Sequence, residues 1–343
     1  MMQLRITNKP SIDPRRLLER EGMEALAKIL AGAGYIIQRR LLIDLAHTLR
    51  SRKPLLIEGP RGGGKTALAE ALAAGCNLST FYLQGMEGFT LTDVLYDWDR
   101  EGQTQMIKQE LAAGAPLKEA QAKQFTREYL ILGEALGAFD YAATHEDIPI
   151  FILDEADKLN ERTEDMLLQL LGRGLAHVPR YGAVGVRDRE RWPIAILLSN
   201  DIRHDLSAPL RSRCIYTWLD PPTPQEEVRI LRARAPRASR ELLSSVVRLI
   251  NCVRREMPAV RDKPGLRESI DLIEALTRAR IETLTADIID EHLCYLGKRR
   301  KELFNLRQGI ARLEFAAHAP DREIDEWITS AFADKAGVFE EAA

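Results

Sequence analysis

The chain has 343 residues and a mass of 38.7 kDa, which points to about two domains of ordinary size. Apolar residues make up 45% and charged residues 29%, enough to bury a core and unlike disordered, collagen-like or disulfide-scaffold chains. With 49 basic against 51 acidic residues the net charge is −2, so no global field selects nucleic acid as a partner.

Taken in order, the first 16 residues lack the apolar core of a secretory signal. An amphipathic stretch over 15–30 reads as a helix, with Asp13 and Pro14 as its start. A second helix is expected over 36–50, where Ile37, Leu41, Leu45 and Leu49 recur every four residues. The apolar run 54–58, bounded by Pro and Gly, reads as a buried strand, and 66–74 as a helix. Further strands are expected over 80–83, 149–153, 193–198 and 215–219, with a helix over 163–171. Continuous apolar strands alternating with helices predict a parallel sheet covered on both faces. A proline cluster at 220–224 marks a boundary, and 225–308 shows only helical periodicity. No apolar run reaches the roughly 18 residues of a spanning helix. Cys76, Cys214, Cys252 and Cys294 are too widely spaced for a metal knuckle or redox pair and read as reduced thiols, and no histidine pair has ligand spacing. A cytoplasmic protein is expected.

The strongest signal is Gly59, Pro60, Arg61, Gly62, Gly63, Gly64, Lys65 and Thr66, which fit GxxxxGK[ST] between an expected strand and an expected helix. Glycines let the backbone turn tightly and aim N–H groups inward, and the following helix start adds positive potential. In that setting Lys65 would reach the β- and γ-phosphates and the Thr66 hydroxyl would ligate Mg²⁺. A second acid is needed, and the strand at 149–153 runs into Asp154 and Glu155. Ligands bind at the carboxyl ends of such strands. Asp154 is therefore expected in the metal shell, with Glu155 polarising a water. Asn200, after the strand at 193–198, could orient that water, although Asn also follows strands for turn reasons.

Together these segments resemble the AAA+ ATPases. Gly59 to Thr66 resembles Walker A, Phe151 to Glu155 with Ala156-Asp157 resembles Walker B, and Leu198-Ser199-Asn200 resembles sensor 1. The stretch from Leu206 to Cys214 resembles the box that carries an arginine finger, with Arg213 or Arg211 as the finger. Pro264 to Ser269 resembles sensor 2, implying Arg267, with Arg261 the alternative. The segment from Gln84 to Asp99, with its Tyr96-Asp97-Trp98, is similar to the helix-2 insert clade and to MoxR-type ATPases of the CoxD kind, and 176–187 resembles a pre-sensor 1 hairpin. The segment 100–145 reads as extra helical material without an assigned role.

The resemblance implies an α/β fold: a P-loop NTPase parallel sheet sandwiched by helices (an AAA+ module), followed by an α-helical lid domain. It divides the chain into an N-terminal helical extension (1–35), the nucleotide-binding domain (36–220), the lid (221–301) and a C-terminal helical tail (302–343). It implies ATP and Mg²⁺ as cofactors, the former held by Gly59 to Thr66 and Ala67. A finger acting in trans implies a homo-oligomer, in this family a hexameric ring. MoxR-like proteins resemble remodelling chaperones acting on a partner with a von Willebrand factor A domain. Two other functions stay open. One is a nucleic-acid motor or loader, kept alive by Lys298-Arg299-Arg300-Lys301 but disfavoured by the net charge. The other is a nucleotide-gated scaffold with little turnover.

Overall fold

The computed structural model describes residues 10–200, 206–333, 338 and 339. In chain order its elements begin with α1 (Pro14–Glu21), α2 (Met23–Gly32), β1 (Ile37–Gln38) and α3 (Arg39–Ser51). β2 (Leu55–Glu58), α4 (Lys65–Cys76) and β3 (Thr80–Gln84) follow. An excursion then carries α5 (Leu91–Val94), β4 (Tyr96–Trp98), α6 (Arg100–Ala112), α7 (Leu117–Ala122) and β5 (Leu130–Leu132). Next come α8 (Glu134–Thr144), β6 (Ile150–Asp154), α9 (Glu161–Arg173), β7 (Leu175–Val178), β8 (Gly182–Gly185), β9 (Ile194–Ser199), α10 (Ala208–Arg213) and β10 (Ile215–Trp218). Among the described residues the remaining elements are α11 (Pro224–Arg234), α12 (Arg240–Glu256), α13 (Leu266–Arg278), α14 (Ala286–Glu291), α15 (Leu293–Leu296), α16 (Arg300–Gln308), α17 (Ile310–His318), α18 (Arg322–Ala333) and the short strand β11 (Val338–Phe339). Of the expected extension and tail, residues 1–9, 334–337 and 340–343 lie outside the described residues.

By contact the chain forms two units, Met1–Ile29 with Arg40–Pro60 and Lys65–Leu219, and Leu30–Arg39 with Arg61–Gly64 and Asp220–Ala343. The first unit is built on a five-stranded sheet of order β10-β2-β9-β6-β3, parallel throughout. β2 and β9 are buried along their whole length and β6 up to Asp154, as strands covered on both faces must be. Phe139, Phe151, Leu153, Leu136 and Leu197 pack in the core of this unit. β9 pairs with both β2 and β6 although it follows both in the chain. Such a crossover opens a crevice at the carboxyl edge of an α/β sheet.

Two excursions decorate this unit. β4 and β5 pair antiparallel, so the Tyr-Asp-Trp stretch is a strand within the insert between β3 and α8. β7 and β8 form the antiparallel hairpin that the alternating runs of the sequence predict. The Trp98 ring meets Phe125 edge-on at 5.1 Å and Tyr181 at 6.4 Å, and the Arg180 guanidinium lies 4.6 Å from the Phe125 centroid. These contacts fasten the insert to the hairpin turn.

The second unit buries one continuous core, with Leu243, Val246, Ile250, Leu272, Ile273 and Leu313 among its members. α12 packs against α13, α17 and α18. The proline cluster before α11 acts as a helix start. Thr223 and Glu226 form a reciprocal capping box, with Pro224 in the first turn.

Two sequence expectations are corrected at their edges. The stretch 15–30 is two helices rather than one, because Gly22 adopts φ +81° and ends α1. The helix expected from 36 starts at Arg39, because Ile37 and Gln38 pair in parallel with Val338 and Phe339.

Candidate nucleotide-binding site

β2 delivers the chain to the glycine loop and α4 receives it at Lys65. Within the loop Gly59, Gly62 and Gly64 have φ values of +155°, +78° and +88°. Gly59 is also required by a close approach: a Cβ there would lie 2.3 Å from the Leu219 carbonyl oxygen. Lys65 is buried, and its Nζ donates to the carbonyl oxygens of Gly59 and Pro60, each at 2.8 Å. Arg61, Gly62 and Ala67 are exposed.

The Thr66 hydroxyl donates to Asp154 Oδ2 at 2.9 Å. The loop that opens α4 and the acid that ends β6 therefore meet, although 88 positions separate them in sequence. Two further donors hold this carboxylate. The Tyr82 hydroxyl donates to Oδ2 at 3.0 Å, and the backbone N–H of Glu155 donates to Oδ1 at 2.8 Å. Burial first, and the neighbouring Asp154 charge next, push the Tyr82 phenol above its ordinary value, so it stays a donor.

Glu155 adopts the left-handed conformation, φ +53° and ψ +46°. This turns its side chain out of the strand direction and onto β3. Its carboxylate pairs with Lys158 and accepts from Gln84 Nε2 at 3.0 Å. Gly85 makes this approach possible. Its N–H donates to the Asp154 carbonyl at 2.7 Å, and a Cβ on it would fall 2.3 Å from the Glu155 carbonyl oxygen.

Asn200 follows β9 and is half-buried, and its backbone N–H donates to Asp157 Oδ1 at 3.1 Å. Buried Asp157 thus fixes the end of the strand next to β6. The Ser207 N–H donates to buried Glu164 at 2.9 Å, setting the start of α10. The two arginines of α10 then diverge. Arg211 pairs with buried Glu58 at 3.0 Å and lies 5.8 Å from the Tyr216 centroid. Arg213 is exposed, with its Nη1 on the Pro209 carbonyl of its own helix. Arg267 belongs to the second unit, exposed in the first turn of α13, and Arg261 there is exposed with its backbone N–H on Glu302.

A hydroxyl and a carboxylate sharing a hydrogen bond at a helix start form a hard oxygen donor set suited to Mg²⁺ completed by phosphate oxygens. The glycine backbone, the helix start and a buried ammonium suit a triphosphate. The residues present fit both groups. Tyr82, Gln84, Gly85, Lys158 and Glu58 were not singled out for this site by the sequence, whereas Asp157 lies in the Walker B resemblance. Strand alternation offers one signal, since Tyr82 and Gln84 share a face of β3, but only the register to β6 gives it meaning.

Residues 54–214 match the family model of the AAA domain (dynein-related subfamily). Among solved structures the chain is similar to a RuvB mutant from Thermotoga maritima, at 16% identity over 88% of this chain and 84% of that one, with a TM-score of 0.42. It is also similar to the Thermotoga maritima RuvB Holliday junction branch migration motor, at 16% identity over 87% and 81%, with a TM-score of 0.40. No curated protein matches.

Proposed function

We propose that the chain, whose residues 54–214 match the model of the AAA domain (dynein-related subfamily), is a MoxR-like ATPase. In this reading it hydrolyses ATP within a homo-oligomeric ring in the cytoplasm and so remodels or activates a partner protein. The observation that carries it is the Thr66–Asp154 hydrogen bond, which joins the phosphate loop to the acid of β6.

The chain's own residues divide the work. Loop N–H groups and Lys65 bind the β- and γ-phosphates, and Thr66 and Asp154 hold Mg²⁺. When bound, the metal neutralises charge on the phosphate oxygens. Glu155, released from Lys158, accepts the proton of the attacking water at a carboxylate oxygen. The Asn200 amide orients that water. Arg213 from a neighbouring protomer offsets charge developing on the phosphate, and Arg267 is the sensor 2 residue. The choice of Arg213 over Arg211 is supported by exposure on one and the Glu58 ion pair on the other.

The client-directed part of the proposal rests on the insert and the hairpin. Joined through Trp98, Phe125, Tyr181 and Arg180, they can move together when nucleotide changes. A von Willebrand factor A-domain protein is the proposed partner, and the MoxR-like motifs are its support.

Steady-state hydrolysis tests the site. Wild type is expected to turn over ATP with Mg²⁺, and Glu155→Gln to bind ATP without turnover. Equal slow rates in both would favour a scaffold. Mixing Lys65→Ala with Arg213→Ala tests the trans geometry, because one supplies an intact finger and the other an intact site; recovery of activity is expected. Strong, salt-dependent DNA binding would favour a nucleic-acid motor instead.

A further inference from the structure

β3 presents two residues of one face to the acid pair of β6. Its side chains alternate, with Phe81 and Leu83 buried in the core and Tyr82 and Gln84 on the opposite face. In the parallel register Gln84 stands opposite Asp154 and Tyr82 opposite Ile152. From those places Tyr82 donates to Asp154 and Gln84 to Glu155.

We propose that Tyr82 is a positioning residue for the cation site, fixing the Asp154 carboxylate in the orientation that meets Thr66. The inference rests on the nucleotide and magnesium reading above and deepens it. A carboxylate on a short side chain rotates easily about its terminal torsion, which is broad and two-fold. Two hydrogen bonds from outside β6 restrain it here, and both reach the same oxygen, Oδ2. The other oxygen takes the Glu155 backbone N–H at 2.8 Å. Of the two Oδ2 donors, Thr66 is itself a proposed ligand, so its hydroxyl must serve the cation and Asp154 together. Tyr82 has no such second task. Its phenol is therefore the Oδ2 donor that need not be shared with the cation.

Partners of this kind around metal-ligating groups typically change metal affinity by about 10- to 100-fold when removed. Tyr82→Phe keeps the ring and deletes the hydroxyl. The test uses the full chain and a fluorescent, non-hydrolysable ATP analogue. Binding is followed against Mg²⁺ concentration and again in EDTA, and Mn²⁺ binding is read by electron paramagnetic resonance. The expected result is a half-saturating Mg²⁺ concentration raised about tenfold, with a matching loss of Mn²⁺ affinity. Affinity for the analogue in EDTA and the thermal midpoint should stay at wild-type values.

An unchanged Mg²⁺ midpoint in Tyr82→Phe, with wild type clearly metal-dependent, overturns the role of Tyr82 and leaves the nucleotide reading intact. A parallel fall in EDTA affinity and thermal midpoint also overturns it, because the hydroxyl would then be structural. A wild type that binds the analogue without any metal dependence overturns both.

Discussion

The Arg211 guanidinium lies 3.0 Å from the Glu58 carboxylate, which is 2% exposed at the end of β2, one residue before the glycine loop. A charge so placed needs its partner, which commits Arg211 to its own protomer. Arg213, two residues on, is exposed and available to a neighbour. The two substitutions should therefore separate. Arg211→Ala is expected to lower stability by about 1–3 kcal/mol, the cost of stripping a charged hydrogen bond from a buried acid. Arg213→Ala is expected to keep the wild-type melting temperature and lose about 10³-fold in turnover, the lower end for a trans finger. Thermal melts and steady-state rates check both; a fully active Arg213→Ala would return the finger to Arg211.

The ion pair between Glu155 and Lys158 predicts a restraint on turnover. The two side chains are 19% and 22% exposed, so the pair is neither fully buried nor fully screened. Such pairs are worth about 1 kcal/mol or less, and Lys158→Ala should raise the basal rate by no more than about fivefold. Glu155→Gln should lower it by about 10²–10⁴, the usual contribution of a general base. Both are read from initial rates at saturating ATP and Mg²⁺. A slower Lys158→Ala would mean that the lysine assists the reaction.

β2, β6 and β9 were legible because each is a continuous apolar run between breakers, a pattern that full burial imposes, whereas the edge strands β3 and β10 were legible as short apolar and aromatic runs that stay partly exposed. The phosphate loop and the acid pair were legible for a different reason: their chemistry tolerates few residue types. Gly22 and Ile37 mark where legibility stopped. One glycine divides a helix whose apolar periodicity continues through it, and the pairing of Ile37 with Val338 is a tertiary event that no local pattern encodes. The partners of the acids were hidden likewise. Tyr82 and Gln84 read as ordinary strand residues until β3 is set beside β6.

Burial pushes the Glu134 carboxyl up from 4.5 to about 7. Glu134 opens α8, next to β5 in the chain. A carboxyl whose value is raised on folding favours the protonated form in the native state. Its contribution is therefore fully present below about pH 4.5 and is lost as the pH climbs through about 7. Glu134→Gln removes the titration. The variant and wild type should melt together at pH 4, and the variant should melt higher at pH 8. The gain should be small, because the group is only partly buried and solvent screens the effect. A wild type that is the more stable of the two at pH 8 would show that the start of α8 rewards the charge more than burial penalises it.

Gly85 is the residue on which the geometry of the acid pair depends. A Cβ there would lie 2.3 Å from the Glu155 carbonyl oxygen and 3.2 Å from that of Asp154, and both are main-chain atoms that cannot swing aside. Gly85→Ala must part β3 from β6 at the end that carries Asp154 and Glu155. The expected cost is about 1–3 kcal/mol for forcing an added methyl into a packed position. Turnover should fall further than that loss of stability explains, because Tyr82 and Gln84 would be drawn away from their carboxylates. Gly32→Ala is the matched control, since a Cβ at Gly32 meets nothing within 4 Å. Chemical denaturation with initial rates on the same preparations separates the two effects. A Gly85→Ala protein with wild-type turnover would show that the acid pair does not need β3 this close.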